Sequence, residues 1–307
     1  MGRELPGLED RLLGAVWGHL VGDAMGVPYE FGPPLPTRMI RWGHQAAYRP
    51  QPPGTWSDDG GLMLALLDSL LEAGFNTADQ ARRALEWWLA DRYRPGPLFD
   101  IGLITRESLA RFRSGIPAEQ AGATGESENG NGSLMRILPV ALVSHRADDA
   151  ELIDKAMRAS SVTHAHPRSK VTCALYVLIA KRLLCGERNR SEAMDDAFRV
   201  AGHVLAGPEA IELEFLRDFP NRTGSGYVVD SFWSAWEAFA AAGSYRAAIE
   251  RAIAYGDDTD TTACLAGGLA GIYWGLRDIP SEWLNGMRGH DIVHPIAIRL
   301  LRQTQNP

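Results

Sequence analysis

The chain has 307 residues, of which 45% are hydrophobic and 22% charged. This length and composition suit one large globular domain or two small ones, and they exclude collagen-like, coiled-coil and disordered chains. The net charge of −7 argues against nucleic-acid binding through a basic surface. Three cysteines, Cys173, Cys185 and Cys264, lack metal-ligand spacing, and their odd number suits a reducing compartment.

Two further observations concern membranes and export. No window of about 18 residues is both apolar and uncharged, so the sequence predicts no membrane-spanning segment. The first residues, MGRELPGLEDRLLG, carry charges where a signal peptide needs its apolar core. We therefore expect a cytoplasmic protein without a membrane partner.

Helical periodicity dominates the chain. Apolar residues recur at three- and four-residue spacings in residues 62–71, 150–161, 172–184, 232–242 and 247–254. Alternating apolar and polar runs, which are typical of strands, are hard to find, and long Pro- or Ser-rich linkers are missing. The sequence therefore predicts one all-α domain spanning residues 1–307.

Two of the predicted helices carry small residues at every fourth position. The first stripe is Gly14, Gly18, Gly22 and Gly26, and the second is Ala263, Gly267, Gly271 and Gly275. Residues four apart share one helix face, and each interior glycine costs about 0.5–1 kcal/mol relative to alanine. We expect the stripes to lie against each other at the centre of the bundle, although a high background of Gly and Ala would also produce them.

Acidic clusters precede two of these helices. They are Ser57-Asp58-Asp59-Gly60 and Gly256-Asp257-Asp258-Thr259-Asp260-Thr261. Helix capping explains one carboxylate at a helix start, but adjacent carboxylates repel each other unless a cation lies among them. Oxygen ligands of this kind suit Mg²⁺ or Mn²⁺, whereas Zn²⁺ prefers His or Cys. Five aspartates and two hydroxyls favour a dinuclear Mg²⁺ or Mn²⁺ site.

A glycine-rich loop, Asn129-Gly130-Asn131-Gly132-Ser133, has two interpretations. It is not a Rossmann fingerprint, because no strand precedes it. It could bind phosphate, since glycine lets backbone N–H groups approach an anion and a helix is predicted to begin near Leu134. Asn-Gly pairs are equally common in ordinary turns.

Other motifs fit the acidic clusters poorly. Asp258-Thr259-Asp260-Thr261-Thr262 matches the D-x-D-x-T pattern of aspartyl-phosphate phosphatases, but the preceding residues, 247–256, are predicted to be helical rather than a buried strand. An EF-hand is excluded, because loop positions six and twelve lack their Gly and Glu.

At this point the chain resembles the ADP-ribosylglycohydrolases, a family that includes the J-crystallins. The matching residues run in order along nearly the whole chain: Gly18-x-x-x-Gly22-Asp23-Ala24-x-Gly26, Glu30-Phe31, Ser57-Asp58-Asp59, Asn129-Gly130-Asn131-Gly132-Ser133-x-Met135-Arg136-x-x-Pro139, Thr163-His164, Gly226-Tyr227-Val228-Val229 and Gly256-x-Asp258-Thr259-Asp260-Thr261-Thr262. The last motif and the paired Asp58-Asp59 are the specific ones.

The resemblance implies an all-α orthogonal helical bundle with two metal ions, Mg²⁺ or Mn²⁺, at its centre. Carried over by position, the metal ligands are Ser57, Asp58, Asp59, Asp258, Asp260 and Thr261. The catalytic candidates are Glu30 and Asp100. The substrate-binding candidates are Asn129, Gly130, Asn131, Gly132, Ser133, Met135, His164 and Tyr227.

Several of these residues also have structural interpretations. Asp100 could cap a helix over 101–112, and His164 could be a buried structural histidine. Arg136 could reach a phosphate or form a salt bridge. Asp23 is expected to support the ligands rather than bind metal, and Cys264 to be a small buried side chain.

Two residues depart from the family's usual Thr-Asp-Asp-Thr. Ser57 replaces the first threonine and keeps the hydroxyl, but it loses the methyl group that stiffens χ1. Gly60 replaces the last threonine and removes a hydroxyl, which puts neighbouring hydrogen bonds or the shape of the substrate pocket in doubt.

The resulting functional expectation is hydrolysis of the bond between C1″ of an ADP-ribosyl group and its acceptor, with arginine favoured through Asp100. Its partners would be an ADP-ribosylated protein or small molecule and the product ADP-ribose. Two alternatives remain: a non-catalytic, crystallin-like or ADP-ribose-binding member of the fold, and a metal-dependent phosphatase or pyrophosphatase.

Overall fold

The computed structural model describes residues 5–46 and 50–305. These residues form fifteen α-helices: α1 Leu8–Gly26, α2 Asp58–Ala73, α3 Thr77–Leu89, α4 Leu103–Arg113, α5 Ala118–Ala121, α6 Leu138–Ser144, α7 Asp149–Ser161, α8 Pro167–Leu184, α9 Arg190–Val204, α10 Pro208–Arg217, α11 Val228–Ala240, α12 Tyr245–Ile253, α13 Thr259–Trp274, α14 Ser281–Gly286 and α15 His290–Gln305. The only strand-like pairings among them are three isolated bridges. The prediction of an all-α fold is confirmed. No described helix has both the length and the apolar character needed to cross a membrane.

The two small-residue stripes pack against each other, as the sequence predicted. α1 and α13 run antiparallel, and a methyl group built on Gly271 would overlap the carbonyl oxygen of Gly14. Gly18 and Gly267 face each other in the same way, each against the other's carbonyl. Glycine is required here because the two backbones touch directly.

Both central helices are buried almost all round, which is typical of a helix at the middle of a bundle. Several of the surrounding helices are amphipathic and begin at side-chain caps, for example Asn76 before α3 and Asp148 before α7. One large hydrophobic core joins α1 to α15.

Two predicted helix starts are wrong by a few residues. The helix expected near Leu134 begins at Leu138, because residues 131–133 form a 3₁₀ turn and Pro139 suits the first turn of a helix. The helix expected over 101–112 is α4, and its N-cap residue is Gly102. Asp100 is therefore not the helix cap; its Oδ1 accepts a hydrogen bond from the N–H of Ile101 at 2.8 Å.

The isolated bridges draw the interhelical loops together at one end of the central pair. Gly32 pairs with Asp257, which joins the chain after α1 to the chain before α13. Gly130 pairs with Tyr227, which holds the glycine loop against the start of α11. The loops that carry the candidate site residues therefore converge above the contact between α1 and α13.

We predict that Gly271→Ala destabilises the protein by about 3 kcal/mol or more, because its methyl group would overlap backbone rather than a movable side chain. The melting temperature should fall by about 6 °C or more. Gly202→Ala is the matched control: this exposed glycine of α9 has room for a methyl group, with Leu213 Cδ2 at 3.9 Å. The control should stabilise the helix by up to about 1 kcal/mol. Equal melting temperatures for the two variants would contradict a backbone contact.

Candidate active site

Three buried aspartates from three helices meet above the glycine contact. Asp23 lies near the end of α1, Asp59 in the first turn of α2, and Asp260 in the first turn of α13. Each offers a carboxylate oxygen, and these oxygens lie within 4.8 Å of one another. The close approach of α1 and α13 therefore builds a cluster of negative oxygen atoms at their shared end.

Asp23 ties α1 to the start of α2. Its carboxylate accepts hydrogen bonds from the backbone N–H of Ser57 at 2.9 Å and of Gly60 at 2.7 Å. The predicted supporting role agrees with these bonds, although an Asp23 oxygen also belongs to the cluster. Burial raises the pKa of Asp23 to about 7.

A hydrogen bond joins the two acidic motifs, which are about 200 residues apart in the chain. The hydroxyl of Thr261 donates to the carboxylate of Asp59 at 3.3 Å, and the hydroxyl of Ser57 approaches the same carboxylate at 3.3 Å. Ser57 also caps α2 by accepting from the N–H of Asp59. Asp258 precedes α13 but makes no side-chain cap, so helix capping does not explain it.

The outer carboxylates are held by other loops. Asp58 accepts from the backbone N–H of Gly102 at 3.3 Å, and Asp258 accepts from the Nδ2 of Asn131 at 2.7 Å. Asn131 also donates to the hydroxyl of Ser231. The glycine loop is thus attached directly to one of the acidic motifs.

Carboxyl groups are crowded together in the cluster. Burial and then neighbouring carboxylates raise the pKa of Asp58 to about 8 and that of Glu30 to about 9, and they raise the pKa of Asp59 and Asp260 well above the ordinary range. Within the described ranges, no Lys or Arg forms an ion pair with Asp23, Asp58, Asp59, Asp258 or Asp260. Buried carboxylates and hydroxyls without a basic partner match the oxygen ligands of a hard divalent cation, so the residues fit a metal site.

A cavity of about 360 Å³ opens over this cluster. Twelve of the sixteen predicted site residues line it: Glu30, Asp58, Asp59, Asp100, Gly130, Asn131, Gly132, Met135, His164, Asp258, Asp260 and Thr261. The acidic motifs and the glycine loop therefore face one space, although they come from three separate parts of the chain.

Four predicted residues do not line this cavity. Ser57 is buried beside it as the cap of α2. Asn129 accepts from the Ser169 hydroxyl at 2.8 Å, and Ser133 bonds to Ser160 in the core. Tyr227 is half-buried, with its ring 5.6 Å from that of Phe219. Asn129 and Ser133 shape the loop from within.

His164 and the glycine loop are in close contact. A Cβ at Gly132 would lie 2.9 Å from both His164 Cε1 and Thr105 Oγ1, so this position requires glycine. The Nδ1 of His164 is 2.8 Å from the Thr163 hydroxyl, and burial lowers the pKa of His164 to about 3, which keeps the ring neutral. The sequence offered two interpretations of His164, a buried structural histidine and a substrate-binding residue. The ring is buried and also lines the cavity, so its position is compatible with both.

Arg136 neither forms a salt bridge nor reaches the cavity within the described structure. Its guanidinium is buried and donates to the carbonyl oxygens of Gly132 and Ala159. Burial lowers the pKa of Arg136 to about 10. It fixes the glycine loop from behind, which neither sequence interpretation anticipated.

Sequence reasoning missed several residues of the cavity wall. These are Phe31, Gly102, Leu103, Ile104 and Thr105. Residues 102–105 start α4, and apart from their closeness to Asp100 no pattern marks them. Phe31 could have been predicted to line the cavity, because it follows Glu30 directly in a motif that matches the family.

Gly60, the departure that put the site in doubt, does not line the cavity. A Cβ at this position would lie 2.7 Å from Leu20 Cδ2 and 2.9 Å from Trp56 Cδ1, both of which are buried. Leu20 and Trp56 fill the space that a threonine side chain would need. Glycine in place of the family's threonine at position 60 therefore fits the packing of the core and does not change the residues that line the cavity.

We predict that Gly60→Thr, which restores the residue usual in the family, destabilises the protein by about 1–3 kcal/mol through overpacking. Thermal melting would measure the loss, with Gly202→Ala again as the control. A Gly60→Thr protein as stable as the wild type would show that Leu20 and Trp56 do not occupy this space.

The raised carboxyl pKa values also predict how the stability of the metal-free protein depends on pH. Between pH 7 and 9 the folded chain holds protons that the unfolded chain, with ordinary carboxyl pKa values near 4, has already released. The free energy of unfolding must therefore fall as pH rises through this window. Buried His164 acts in the opposite sense but only at lower pH, where the unfolded histidine becomes protonated.

In chelator, we expect the melting temperature at pH 9 to be about 5 °C or more below that at pH 7. Asp59→Asn removes one of the repelling charges and should make this decline shallower. Added Mg²⁺ or Mn²⁺ should also reduce it. Stability that is flat or rising from pH 7 to 9 would contradict an uncompensated acidic cluster.

Comparison with known proteins agrees with the geometry. The sequence model of the ADP-ribosylglycohydrolase family matches residues 4–307. The chain is 28% identical to the ADP-ribosylarginine hydrolase Tri1 of Serratia proteamaculans, over 95% of this chain and 79% of that protein. It is 29% identical to the ADP-ribosyl-[dinitrogen reductase] glycohydrolase of Rhodospirillum rubrum, over 91% of each. A solved structure of an ADP-ribosylglycohydrolase-related protein complex superposes with a TM-score of 0.80 at 30% identity, covering 97% of this chain and 99% of that one. The chain belongs to the ADP-ribosylglycohydrolase family, whose enzymes hydrolyse N-glycosidic bonds of ADP-ribosyl groups.

Proposed function

We propose that this ADP-ribosyl hydrolase cleaves the C1″ glycosidic bond of an ADP-ribosylated acceptor, with arginine favoured, using two Mg²⁺ or Mn²⁺ ions. One observation carries the proposal: the acidic cluster and the glycine loop line the same cavity, and Asn131 bonds directly to Asp258. A substrate with a diphosphate and a ribose needs both features in one space. Two relatives, an ADP-ribosylarginine hydrolase and an ADP-ribosyl-[dinitrogen reductase] glycohydrolase, support the reaction class.

The residues proposed to hold the metal ions are Ser57, Asp58, Asp59, Asp258, Asp260 and Thr261. Their carboxylate and hydroxyl oxygens are the donor set that Mg²⁺ and Mn²⁺ prefer. Mg²⁺ or Mn²⁺ held by these residues would supply positive charge to orient ribose hydroxyls and to make a nearby water easier to deprotonate. Asp23 supports this set through its bonds to the start of α2.

Glu30 and Asp100 are proposed as the acid and base groups. Both line the cavity beside the acidic cluster, and both are only half-buried, so a substrate and water can reach them. In hydrolysis, one group gives a proton to the leaving nitrogen while the attacking water loses one. Two carboxyl groups at one cavity can divide these tasks.

The glycine loop is proposed to hold the diphosphate. Gly130 and Gly132 line the cavity, and the lack of a Cβ lets a ligand lie against the backbone. Met135 and the neutral ring of His164 complete this wall. Tyr227, whose backbone pairs with Gly130, is proposed to stack on the adenine.

The test is release of free ADP-ribose from ADP-ribosylarginine, with and without Mg²⁺ or Mn²⁺. We predict that Asp59→Asn and Asp258→Asn each lower this activity by about 100-fold or more while the helical circular dichroism spectrum is unchanged. Asp154→Asn, which alters an exposed ion pair of α7 with Arg158, is the matched control and should keep full activity. Normal hydrolysis by either site variant in chelator-treated buffer would overturn the metal mechanism.

The same assay separates the alternatives. A non-catalytic member would be stabilised by ADP-ribose and metal without releasing product. A phosphatase or pyrophosphatase would instead release inorganic phosphate or cleave the diphosphate. The packing of Leu20 and Trp56 around Gly60 removes the main reason to favour a member without turnover.

A further inference from the structure

A short loop before α11, residues 223–226, is bonded to both motifs that face the cavity. The carbonyl of Gly224 accepts a hydrogen bond from the backbone N–H of Asp258 at 2.9 Å. The carbonyl of Gly226 accepts from the backbone N–H of Asn131 at 3.1 Å. Residues 223–226 do not themselves line the cavity. The loop therefore supports one acidic motif and the glycine loop from behind.

Asp230, in the first turn of α11, holds this loop in place. Its Oδ1 accepts a hydrogen bond from the N–H of Thr223 at 2.9 Å, and its Oδ2 accepts from the Thr223 hydroxyl at 2.6 Å. The same Oδ2 accepts from the N–H of Ser225 at 2.7 Å and from its hydroxyl at 2.6 Å. The carboxylate is buried, with 2% of the residue exposed. All four donors belong to the 223–226 loop.

These bonds require a charged carboxylate. Burial by itself would raise the pKa of Asp230, but the hydroxyl and N–H donors of Ser225 and Thr223 outweigh it and hold the pKa below the ordinary value. Asp230 is therefore ionised at neutral pH, and both of its oxygens accept. An amide of the same shape offers one accepting oxygen and a donating NH₂ group, so it cannot make all four bonds.

The loop fits closely against the acidic motif. Gly224 has a φ of 71°, and a Cβ there would lie 2.7 Å from the Cβ of Tyr255 and 3.0 Å from the carbonyl oxygen of Gly256. A Cβ at Gly226 would lie 3.2 Å from Oδ2 of Asp258. A shift of this loop would therefore move the backbone and the carboxylate of Asp258.

A second chain of bonds joins the loop to side chains of the site. The hydroxyl of Ser231 donates to the carbonyl of Ser225 at 2.7 Å and accepts from Nδ2 of Asn131 at 2.9 Å. The same Nδ2 donates to the carboxylate of Asp258 at 2.7 Å. The position of the loop is thus transmitted to the side chains as well as to the backbone of the site.

We propose that Asp230 is a positioning residue: by fixing the 223–226 loop it places Asp258 and Asn131, and so sets the affinity of the cavity for a divalent cation and for ADP-ribose. The inference rests on the proposed function for the identity of these two ligands. Asp230 does not line the cavity, so it acts only through the residues that the loop holds. A merely structural aspartate would stabilise α11 without changing either affinity.

The first test needs no ligand. Backbone hydrogen–deuterium exchange is measured by NMR in wild-type protein and in Asp230→Asn, both in chelator. We expect the amide protons of Asp258 and Asn131 to exchange about tenfold faster or more in the variant, because their acceptors are carbonyls of the released loop.

Asp79→Asn is the matched control. Asp79 also lies in the first turn of a helix, α3, and accepts from the hydroxyl of Ser69 at 2.7 Å. Its substitution should lower the melting temperature without changing the exchange of the Asp258 and Asn131 amides.

The second test measures the two affinities. Mn²⁺ binding is followed by electron paramagnetic resonance, and ADP-ribose binding at saturating Mn²⁺ by calorimetry. Asp230→Asn should weaken Mn²⁺ binding about 10–100-fold and ADP-ribose binding about threefold or more. Asp79→Asn should keep both Kd values within about twofold of wild type. At saturating Mn²⁺ the kcat of Asp230→Asn for ADP-ribosylarginine should return to within about threefold of wild type, because Asp230 touches no reacting group.

A milder variant covers the case in which Asp230→Asn does not fold. Thr223→Val removes one hydroxyl donor to Asp230 from an exposed residue and keeps the shape of the side chain. It should weaken Mn²⁺ binding about threefold at an almost unchanged melting temperature. Folded Thr223→Val with the wild-type Kd for Mn²⁺ would contradict the proposed role.

The outcomes separate this inference from the proposed function. If Asp230→Asn loses amide protection and Mn²⁺ affinity while wild-type protein releases no ADP-ribose from ADP-ribosylarginine, the hydrolase proposal fails and the positioning role stands. If wild-type protein hydrolyses this substrate and Asp230→Asn shows only a lower melting temperature, with unchanged amide exchange and Mn²⁺ affinity, Asp230 is a structural residue. The positioning role is then wrong and the hydrolase proposal stands.

Discussion

The direct backbone contact between α1 and α13 is the constraint on which the site depends. Glycines at matching positions let the two helices approach until carbonyl oxygens meet Cα atoms, and the antiparallel arrangement places the end of α1 beside the start of α13. The hydroxyl of Thr259 donates to the carbonyl of Gly26 at 2.9 Å, which fixes the register at that end. Asp23 and Asp260 can share a cluster only because no side chains separate their helices.

The electrostatics of the cluster follow from the groups that support it. Backbone N–H groups, hydroxyls and the side-chain amide of Asn131, rather than Lys or Arg side chains of the described structure, donate hydrogen bonds to the carboxylates. Neutral donors hold the oxygen atoms in place without cancelling their charge, which leaves that charge available to a cation. The same arrangement disfavours the folded protein when no cation is bound, so binding a cation and folding are linked at this site.

The sequence was most informative where residue type and spacing have a single physical cause. The glycine stripes predicted a helix contact, and the paired acidic motifs predicted a shared cluster; both features appear in the structure. It was less informative where a role depends on side-chain direction. Ser133 lies in the glycine loop but points into the core, while Thr105 follows no motif and still reaches the cavity. Arg136 shows the same difficulty, because only the fold reveals which carbonyl groups surround it. Gly60 suggested a lost function until its packing neighbours were known.

The bond between Thr261 and Asp59 has a consequence for how this protein is made. Its partners are separated by 202 positions in the chain, so the acidic cluster cannot form until most of the polypeptide has left the ribosome. The early part of a nascent chain holds Asp23, Asp58 and Asp59 but lacks α13, against which α1 must pack. Contacts so distant in sequence form late in folding, after the costly closure of a long loop. The glycine face of α1 is therefore exposed during synthesis until α13 has been made. A chaperone that covers this face would protect the incomplete chain.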